Sequence, residues 1–224
     1  MNFCNFLNQQ LDELHLLKHP FYVAWNKGEL SAEVLQSYAK EYYHHVVAFP
    51  CYISSIHSLC PDIKARQILL ENLVDEERGE ENHPELWLRF ADGLGVLRRD
   101  IPIKANFVET NNLVDGYFNL VRSDYPTGLG ALYAYERQTP EISESKIDGL
   151  KKHYFITDQN TLKFFEVHST LDQWHREEIS QLIESLAPKD QEMTTKGAIA
   201  GAKLLWEFLD GILSNDNYQN TINQ

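Results

Sequence analysis

The sequence predicts an all-α protein, a single domain built as a bundle of seven to eight helices. Apolar residues recur at helical spacing along most of the chain, which is typical of amphipathic helices. The alternating runs of Val, Ile and Thr that are typical of strands do not occur in it. No internal repeat and no linker rich in Gly, Ser or Pro divides the 224 residues, so one packed core is expected.

Proline, glycine and capping residues predict where the helices begin and end. Leucines at helical spacing precede His19-Pro20, and the next long helix opens at Ser31 and is kinked by Pro50. Asp62 follows a break at Cys60-Pro61 and is suited to cap the helix after it. Further helices are expected over 63–82, 84–92, 105–122, 127–152, 158–187 and 190–213, with a connector over 96–104. Residues 1–214 form the predicted domain, and 215–224 form a polar, flexible tail.

The composition excludes several classes of partner. The chain carries 33 acidic and 20 basic residues, a formal net charge of -13, which repels phosphate backbones and anionic lipids. We therefore expect neither nucleic acid nor a membrane as a partner. Cys4, Cys51 and Cys60 lack the spacing of a disulfide framework or a zinc site. No stretch is long and apolar enough to span a bilayer, and no secretion signal is evident, so a cytoplasmic location is predicted.

His168, Asp172 and His175 fall on one stripe of a predicted helix. At about 100° per residue, positions i, i+4 and i+7 point in nearly the same direction. Imidazole and carboxylate groups bind metals, so this spacing predicts part of a metal site. The same spacing is also compatible with a solvated polar face that continues into Arg176 and Glu177.

A second group of candidate ligands precedes the first in the chain. Glu76 and His83 are seven residues apart and also return to one helical stripe. This run is acidic, as solvated faces usually are, and Glu80 lies on the same stripe as a competing ligand. Glu136 stands among small and aromatic residues, where a lone carboxylate is costly unless it is paired, neutralised or bound to a metal.

Together, these residues predict a dinuclear metal centre between facing helices. Carboxylate and imidazole ligands without thiolates suit iron or manganese, and helical bundles build such centres from inward-facing Glu and His. An open coordination position would bind O₂ as a co-substrate, with a reductant as a further partner. Fe/Fe and Mn/Fe pairs accept the same ligands, so the choice between them stays open. The predicted ligands are Glu76, His83, Glu136, His168, Asp172 and His175.

These ligands and several further segments resemble a known family. The further segments are His19-Pro20-Phe21-Tyr22-Val23-Ala24-Trp25, Lys27-Gly28-Glu29-Leu30 and Leu132-Tyr133-Ala134-Tyr135-Glu136. In this combination the chain resembles, from about Leu11 to Leu213, the haem-oxygenase-like proteins related to the chlamydial protein associating with death domains. Pyrroloquinoline-quinone synthases and thiaminase II are relatives of that family. One departure is the strongly acidic run between Glu76 and His83, which bears on which glutamate is the ligand.

The resemblance implies a haem-oxygenase-like bundle and a self-sacrificing oxygenase that forms para-aminobenzoate for folate biosynthesis. Tyr22 matches the family's tyrosine that supplies the ring, and Lys146 matches its lysine that donates the amino group. The residues alone favour an ordinary core tyrosine and a surface lysine. A homodimer, and a protein partner with a death-domain-like helical fold, are further implications. Other tyrosines would act as redox relays or simply pack, namely Tyr38, Tyr42, Tyr43 and Tyr135.

Two alternative functions stay open at this point. The first is a metal-free enzyme on the same bundle, either a thiaminase-like hydrolase or a cofactor-independent oxidase. A thiaminase needs a cysteine nucleophile beside an acid or base, and no cysteine neighbours the segments of Glu136 or His168. The second is a death-domain-type interaction factor, for which the sequence offers no specific signal.

Overall fold

The computed structural model describes residues 2–215, apart from the side chains of residues 170–173. This part of the chain folds into helices and contains no strand, which confirms the predicted all-α class. None of its helices has both the length and the apolar composition needed to span a bilayer. The α-helices are α1 (Phe3–Leu11), α2 (Pro20–Trp25), α3 (Ala32–Leu59), α4 (Ile63–Glu77), α5 (His83–Gly93), α6 (Val108–Ser123), α7 (Tyr125–Glu136), α8 (Thr139–His153), α9 (Gln159–Glu184) and α10 (Pro188–Asn215).

The eight helices α3 to α10 have 11 residues or more and form the predicted bundle. The shorter α1 and α2 are connected by two single turns of 3₁₀-helix, Asp12–Leu14 and Leu16–Lys18. Of the predicted tail over 215–224, only Asn215 is described, as the last residue of α10. Residues 216–224 lie outside the described residues.

Two predicted helices differ from the structure at positions that matter for the site. The helix expected over 127–152 is divided, since α7 ends at Glu136 and α8 begins at Thr139. Pro140 has no N–H to donate to the Glu136 carbonyl, so one continuous helix is disfavoured there. The helix expected over 63–82 ends at Glu77, and Gly79 follows with a φ of 81°.

Helix α7 occupies the centre of the bundle, and every residue from Gly128 to Glu136 is buried. Glycines allow α10 to approach it closely. A Cβ at Gly130 would overlap the carbonyl of Thr194, and one at Gly197 would overlap the carbonyl of Thr127. On the other side of the core, α9 packs against α5, α7 and α8, while α4 packs against α3 and α5. The ends of α4 and α7, the start of α5 and the middle of α9 therefore meet inside the bundle.

Candidate metal centre

Three of the predicted ligands converge in the core. Glu76 lies in the last turn of α4, His83 is the first residue of α5, and His168 lies in the middle of α9. One potential ligand atom from each lies within 4.8 Å of the other two, and all three residues are buried. The Nδ1 atom of His83 is 2.6 Å from Oε2 of Glu76, and the rings of His83 and His168 are 4.3 Å apart between centroids.

The turn between α4 and α5 produces this arrangement. Helix α4 ends before Gly79, and the side chain of Asn82 accepts a hydrogen bond from the backbone N–H of Glu85, which caps α5. The chain thus reverses so that His83 faces Glu76. Glu80, the competing ligand on the sequence, lies in the exposed turn and not on α4, so the structure brings Glu76 and not Glu80 to the cluster.

His168 is oriented by its own helix. Its Nδ1–H donates to the carbonyl of Phe164 at 2.7 Å, which leaves the Nε2 lone pair as the potential metal ligand. Burial, together with repulsion from His83, lowers the pKa of His168 well below its usual range. The ring is therefore neutral at physiological pH, which is the form that binds metals.

Glu136 lies within electrostatic range of Glu76 and His83 and is almost fully buried at the end of α7. Its Oε1 accepts a hydrogen bond from Nδ2 of Asn72 at 3.0 Å. Burial raises the pKa of the Glu136 carboxyl to about 7, although the charge of His175 and the Asn72 hydrogen bond oppose the shift. Repulsion from Glu76 also contributes to the rise in this pKa.

The two remaining predicted ligands lie on α9. His175 is buried, and its Nε2 is 3.1 Å from Oδ2 of Asp75. Its charge acts on both Glu136 and His168, so it lies within electrostatic range of the cluster. Asp172 belongs to the helical backbone of α9, but its side chain lies outside the described residues. Its role as a ligand therefore stays a prediction.

Asn72 and Asp75 contact the cluster and were not among the predicted site residues. Asn72 lies four residues before Glu76 and continues the buried stripe of Ala65 and Leu69 on α4. That spacing was the available signal, and it was hidden by the acidic run that follows. Asp75 is more exposed and reaches the site through its contact with His175 on another helix.

The chemistry of this cluster fits the metal that its residue types predict. Two buried carboxylates and two buried imidazoles share a small volume, and the described salt bridges pair none of them with a lysine or arginine. The Oδ1 atom of Asn72 is buried and has no hydrogen-bond partner among the described residues. Oxygen and nitrogen donors without sulfur suit iron or manganese.

Lys146 lies in the core beside this cluster, not on the surface as its polar sequence context suggests. Its Nζ donates to the hydroxyl of Tyr38 at 2.6 Å, and its charge acts on His168. Burial lowers the pKa of Lys146 from 10.5 to about 7. The Nζ atom lies 4.9–5.7 Å from the centroids of five rings, those of Tyr22, Tyr38, Tyr42, Trp87 and Phe165.

Tyr22 is buried on α2 and shares a small cavity with Lys146. Burial raises the pKa of Tyr22, although its interaction with the Tyr38 hydroxyl opposes the shift. Phe164, whose ring lies 4.1 Å from that of His168, lines the same cavity. The two side chains that the resemblance singles out therefore lie together, next to the cluster of potential ligands.

An all-helical bundle with a buried carboxylate–imidazole cluster is the architecture in which helical proteins build metal sites, so the fold and the site define a metal-binding helical protein as the class. The family described as iron-containing redox enzymes matches residues 36–208. The chain belongs to this haem-oxygenase-like family. That membership confirms the predicted fold and resemblance, and it supports an enzyme with a metal cofactor.

The chain is also similar to individual proteins of known name. It is 40% identical to a 4-aminobenzoate synthase of Nitrosomonas europaea, over 94% of this chain and 92% of the relative. It is 38% identical to a 4-aminobenzoate synthase of Chlamydia muridarum, over 95% of this chain and 91% of the relative. The fold matches a CADD-like protein of unknown function from Nostoc punctiforme with a TM-score of 0.78, at 17% identity over 96% of both chains.

Proposed function

We propose that this chain is a metal- and O₂-dependent enzyme that forms para-aminobenzoate from its own side chains, with the ring from Tyr22 and the amino group from Lys146. Relatives that are 37–40% identical to the chain are named 4-aminobenzoate synthases. The observation that carries the proposal is that Lys146 Nζ lies 5.7 Å from the centroid of the Tyr22 ring, in a pocket beside the carboxylate–imidazole cluster.

The covalent structure of tyrosine suits this product. The ring and Cβ carry the carbons of a benzoate, and the hydroxyl stands para to Cβ, where para-aminobenzoate carries its nitrogen. Forming the product requires cleavage of the Cα–Cβ bond of Tyr22 and oxidation of its Cβ to a carboxylate. It also requires replacement of the hydroxyl oxygen, which leaves as water, by the Lys146 nitrogen, and cleavage of the Cε–Nζ bond of Lys146. Because both side chains are consumed, each chain would complete a single turnover.

The oxidation of Cβ requires an oxidant stronger than any side chain provides. A bound metal pair, Fe/Fe or Mn/Fe, would supply it by activating O₂. The fit of the donor set described above supports this assignment, and Asp172, which the sequence predicts on the same helical stripe, would complete the set. The residues that would hold the metals are Glu76, His83, Glu136, His168, Asp172 and His175.

Lys146 is prepared for nitrogen transfer by its surroundings. An amine attacks carbon only through its free lone pair, and a pKa of about 7 leaves a large neutral fraction at physiological pH. The hydrogen bond to Tyr38 fixes the direction of Nζ, and the surrounding rings exclude water from the amine.

Isotope labelling tests the proposal. Protein that contains ring-labelled tyrosine and lysine labelled with ¹⁵N at Nζ is loaded with Fe(II), with or without Mn(II), and exposed to O₂ and a reductant. We expect para-aminobenzoate that carries both labels and a matching mass loss confined to the peptides of Tyr22 and Lys146. Lys146→Arg should abolish the product, whereas Lys151→Arg, in the exposed last turn of α8, should not. An unlabelled product, or one formed equally by Lys146→Arg, would contradict the proposal.

A further inference from the structure

Trp25 connects the reactive pocket with the surface of the bundle. Its ring is fully buried on α2, 6.1 Å from the ring of Tyr38 and 6.5 Å from that of Tyr22 between centroids. On its other side, the ring of Tyr154 lies 6.0 Å away. Tyr154 caps the C-terminus of α8 next to the exposed Phe155, and it is half-buried as a residue, although its hydroxyl oxygen is buried. Trp25 thus stands between a ring that reaches solvent and the two tyrosines of the pocket.

The packing that holds Trp25 in this place is specific. Helix α8 carries Gly149 where it crosses the indole, and a Cβ at that position would overlap the indole ring. The glycine therefore allows Trp25 to lie between α8 and the pocket. The path also continues inward from Tyr38. The ring of Tyr38 lies 5.7 Å from that of Trp87, and the ring of Trp87 lies 4.8 Å from that of Phe164. Phe164 in turn contacts His168.

The hydrogen bonding of the rings differs in a way that affects their redox behaviour. The indole N–H of Trp25 is buried and finds no acceptor among the described residues, whereas the N–H of Trp87 donates to the carbonyl of Ala39 at 2.8 Å. An oxidised indole without an acceptor keeps its proton, so its radical cation is a strong oxidant that is quickly reduced. Tyr38, in contrast, has Lys146 at 2.6 Å, to which it can pass its proton when it is oxidised.

We propose that Trp25 is the residue through which electrons pass between the surface at Tyr154 and Tyr38 in the pocket. This role rests on the proposed function, in which reaction with O₂ generates one-electron oxidants in the pocket. A soluble one-electron donor of the ascorbate class supplies the electrons that reduce them.

Each electron that enters follows the same sequence of transfers. A Tyr38 radical that has given its proton to Lys146 takes one electron from Trp25 and recovers the proton from Lys146. The Trp25 radical cation then takes one electron from the donor, which reaches the half-buried ring of Tyr154 at the surface. The net change is one electron transferred to the pocket, where the proton held by Lys146 returns to Tyr38, and one donor molecule oxidised by one electron.

Light-driven oxidation of the metal-free protein tests this path without the proposed reaction. A ruthenium photosensitiser is attached at position 152 through Lys152→Cys, in a Cys51→Ser background, because Cys4 and Cys60 are buried. After a laser flash in the presence of an electron acceptor, transient absorption should detect a tryptophan radical that decays as a tyrosyl radical rises. Tyr38→Phe should remove that tyrosyl signal.

The decisive variant is Trp25→Phe, with Trp206→Phe as the matched control on α10, where the indole packs against His19. We expect loss of the delayed tyrosyl signal in the first variant and an unchanged signal in the second. An unchanged signal in a folded Trp25→Phe protein would overturn the proposal. If that variant does not fold, the chain with Trp25 in place still tests the proposal. A Tyr38 radical that forms there without a preceding tryptophan radical also overturns the proposal.

The two proposals fail in different experiments. If the light-driven experiment detects no transfer through Trp25, the isotope-labelling experiment still tests the proposed function. Absence of para-aminobenzoate from the metal-loaded protein would leave the light-driven transfer through Trp25 unaffected.

Discussion

Replacement of Lys146 by methionine should stabilise the metal-free protein, and by an amount that depends on pH. Burial lowers the pKa of Lys146 from 10.5 to about 7. The difference, 10.5 − 7 = 3.5 units, corresponds to roughly 5 kcal/mol of unfavourable free energy when the buried amine must be protonated. Methionine has a similar shape and no charge. It loses the hydrogen bond to Tyr38, worth about 1 kcal/mol, so a net gain of roughly 4 kcal/mol is expected near pH 6.

The gain should shrink as the pH rises. Between pH 7 and 10.5 the unfolded chain holds the Lys146 proton more tightly than the folded chain does, so the wild-type protein gains stability with increasing pH. Near pH 9 the penalty is therefore only about 2 kcal/mol, and the difference between variant and wild type falls by about 3 kcal/mol from its value near pH 6. Groups that both proteins share cancel in this difference.

Urea unfolding of both proteins at the two pH values measures the effect. Lys196→Met is the matched control, because Lys196 is 71% exposed on α10 and pairs only with Glu192 among the described residues. Its effect on the free energy of unfolding should be small at both pH values. A Lys146→Met effect that does not change with pH, or that is destabilising at both values, would refute the argument that the amine is desolvated.

Three further predictions concern the cluster and its surroundings. Fe(II) should raise the melting temperature of the wild-type protein, by the equivalent of about 3 kcal/mol at a hundredfold excess over Kd, and His168→Ala should abolish this rise in thermal unfolding. The pKa of Glu136 is about 7 in the folded chain, in place of 4.5. The folded state therefore loses stability as the pH rises from about 4.5 to 7. Glu136→Gln should therefore stabilise the metal-free protein by roughly 3 kcal/mol above pH 7 and by little below pH 5, and a pH-independent effect in urea unfolding would contradict this. Gly149→Ala should destabilise the chain by about 1–3 kcal/mol in the same assay, because its Cβ would overlap the Trp25 indole; an unchanged stability would mean that the helices separate easily.

Helical spacing was sufficient to predict much of the cluster. Glu76, His83 and His168 were assigned to inward stripes from their positions in the chain, and the structure brings them together. Spacing alone did not distinguish Glu76 from Glu80, because that choice depends on where α4 ends, which Gly79 determines. A turn residue was thus as informative as the ligands themselves.

The surroundings of Lys146 were beyond the sequence signal. Its neighbours in the chain are polar, and its burial results from aromatic rings supplied by α2, α3, α5 and α9. Periodicity reports which face of one helix is apolar, but it does not report which faces of other helices meet it. The division between α7 and α8 has a local signal in Pro140, whose missing N–H disfavours one continuous helix there.

The same aromatic burial acts in opposite senses on the two halves of the site. It disfavours the ionised forms of both groups, so it raises the pKa of Glu136 and lowers that of Lys146. A divalent cation in the cluster reverses only the first effect, because the carboxylate ionises in contact with it. The ammonium form of Lys146 is repelled by the same positive charge, so its neutral form is favoured further. One buried site can therefore bind a metal and keep the Lys146 amine neutral. A lysine at the surface would stay protonated.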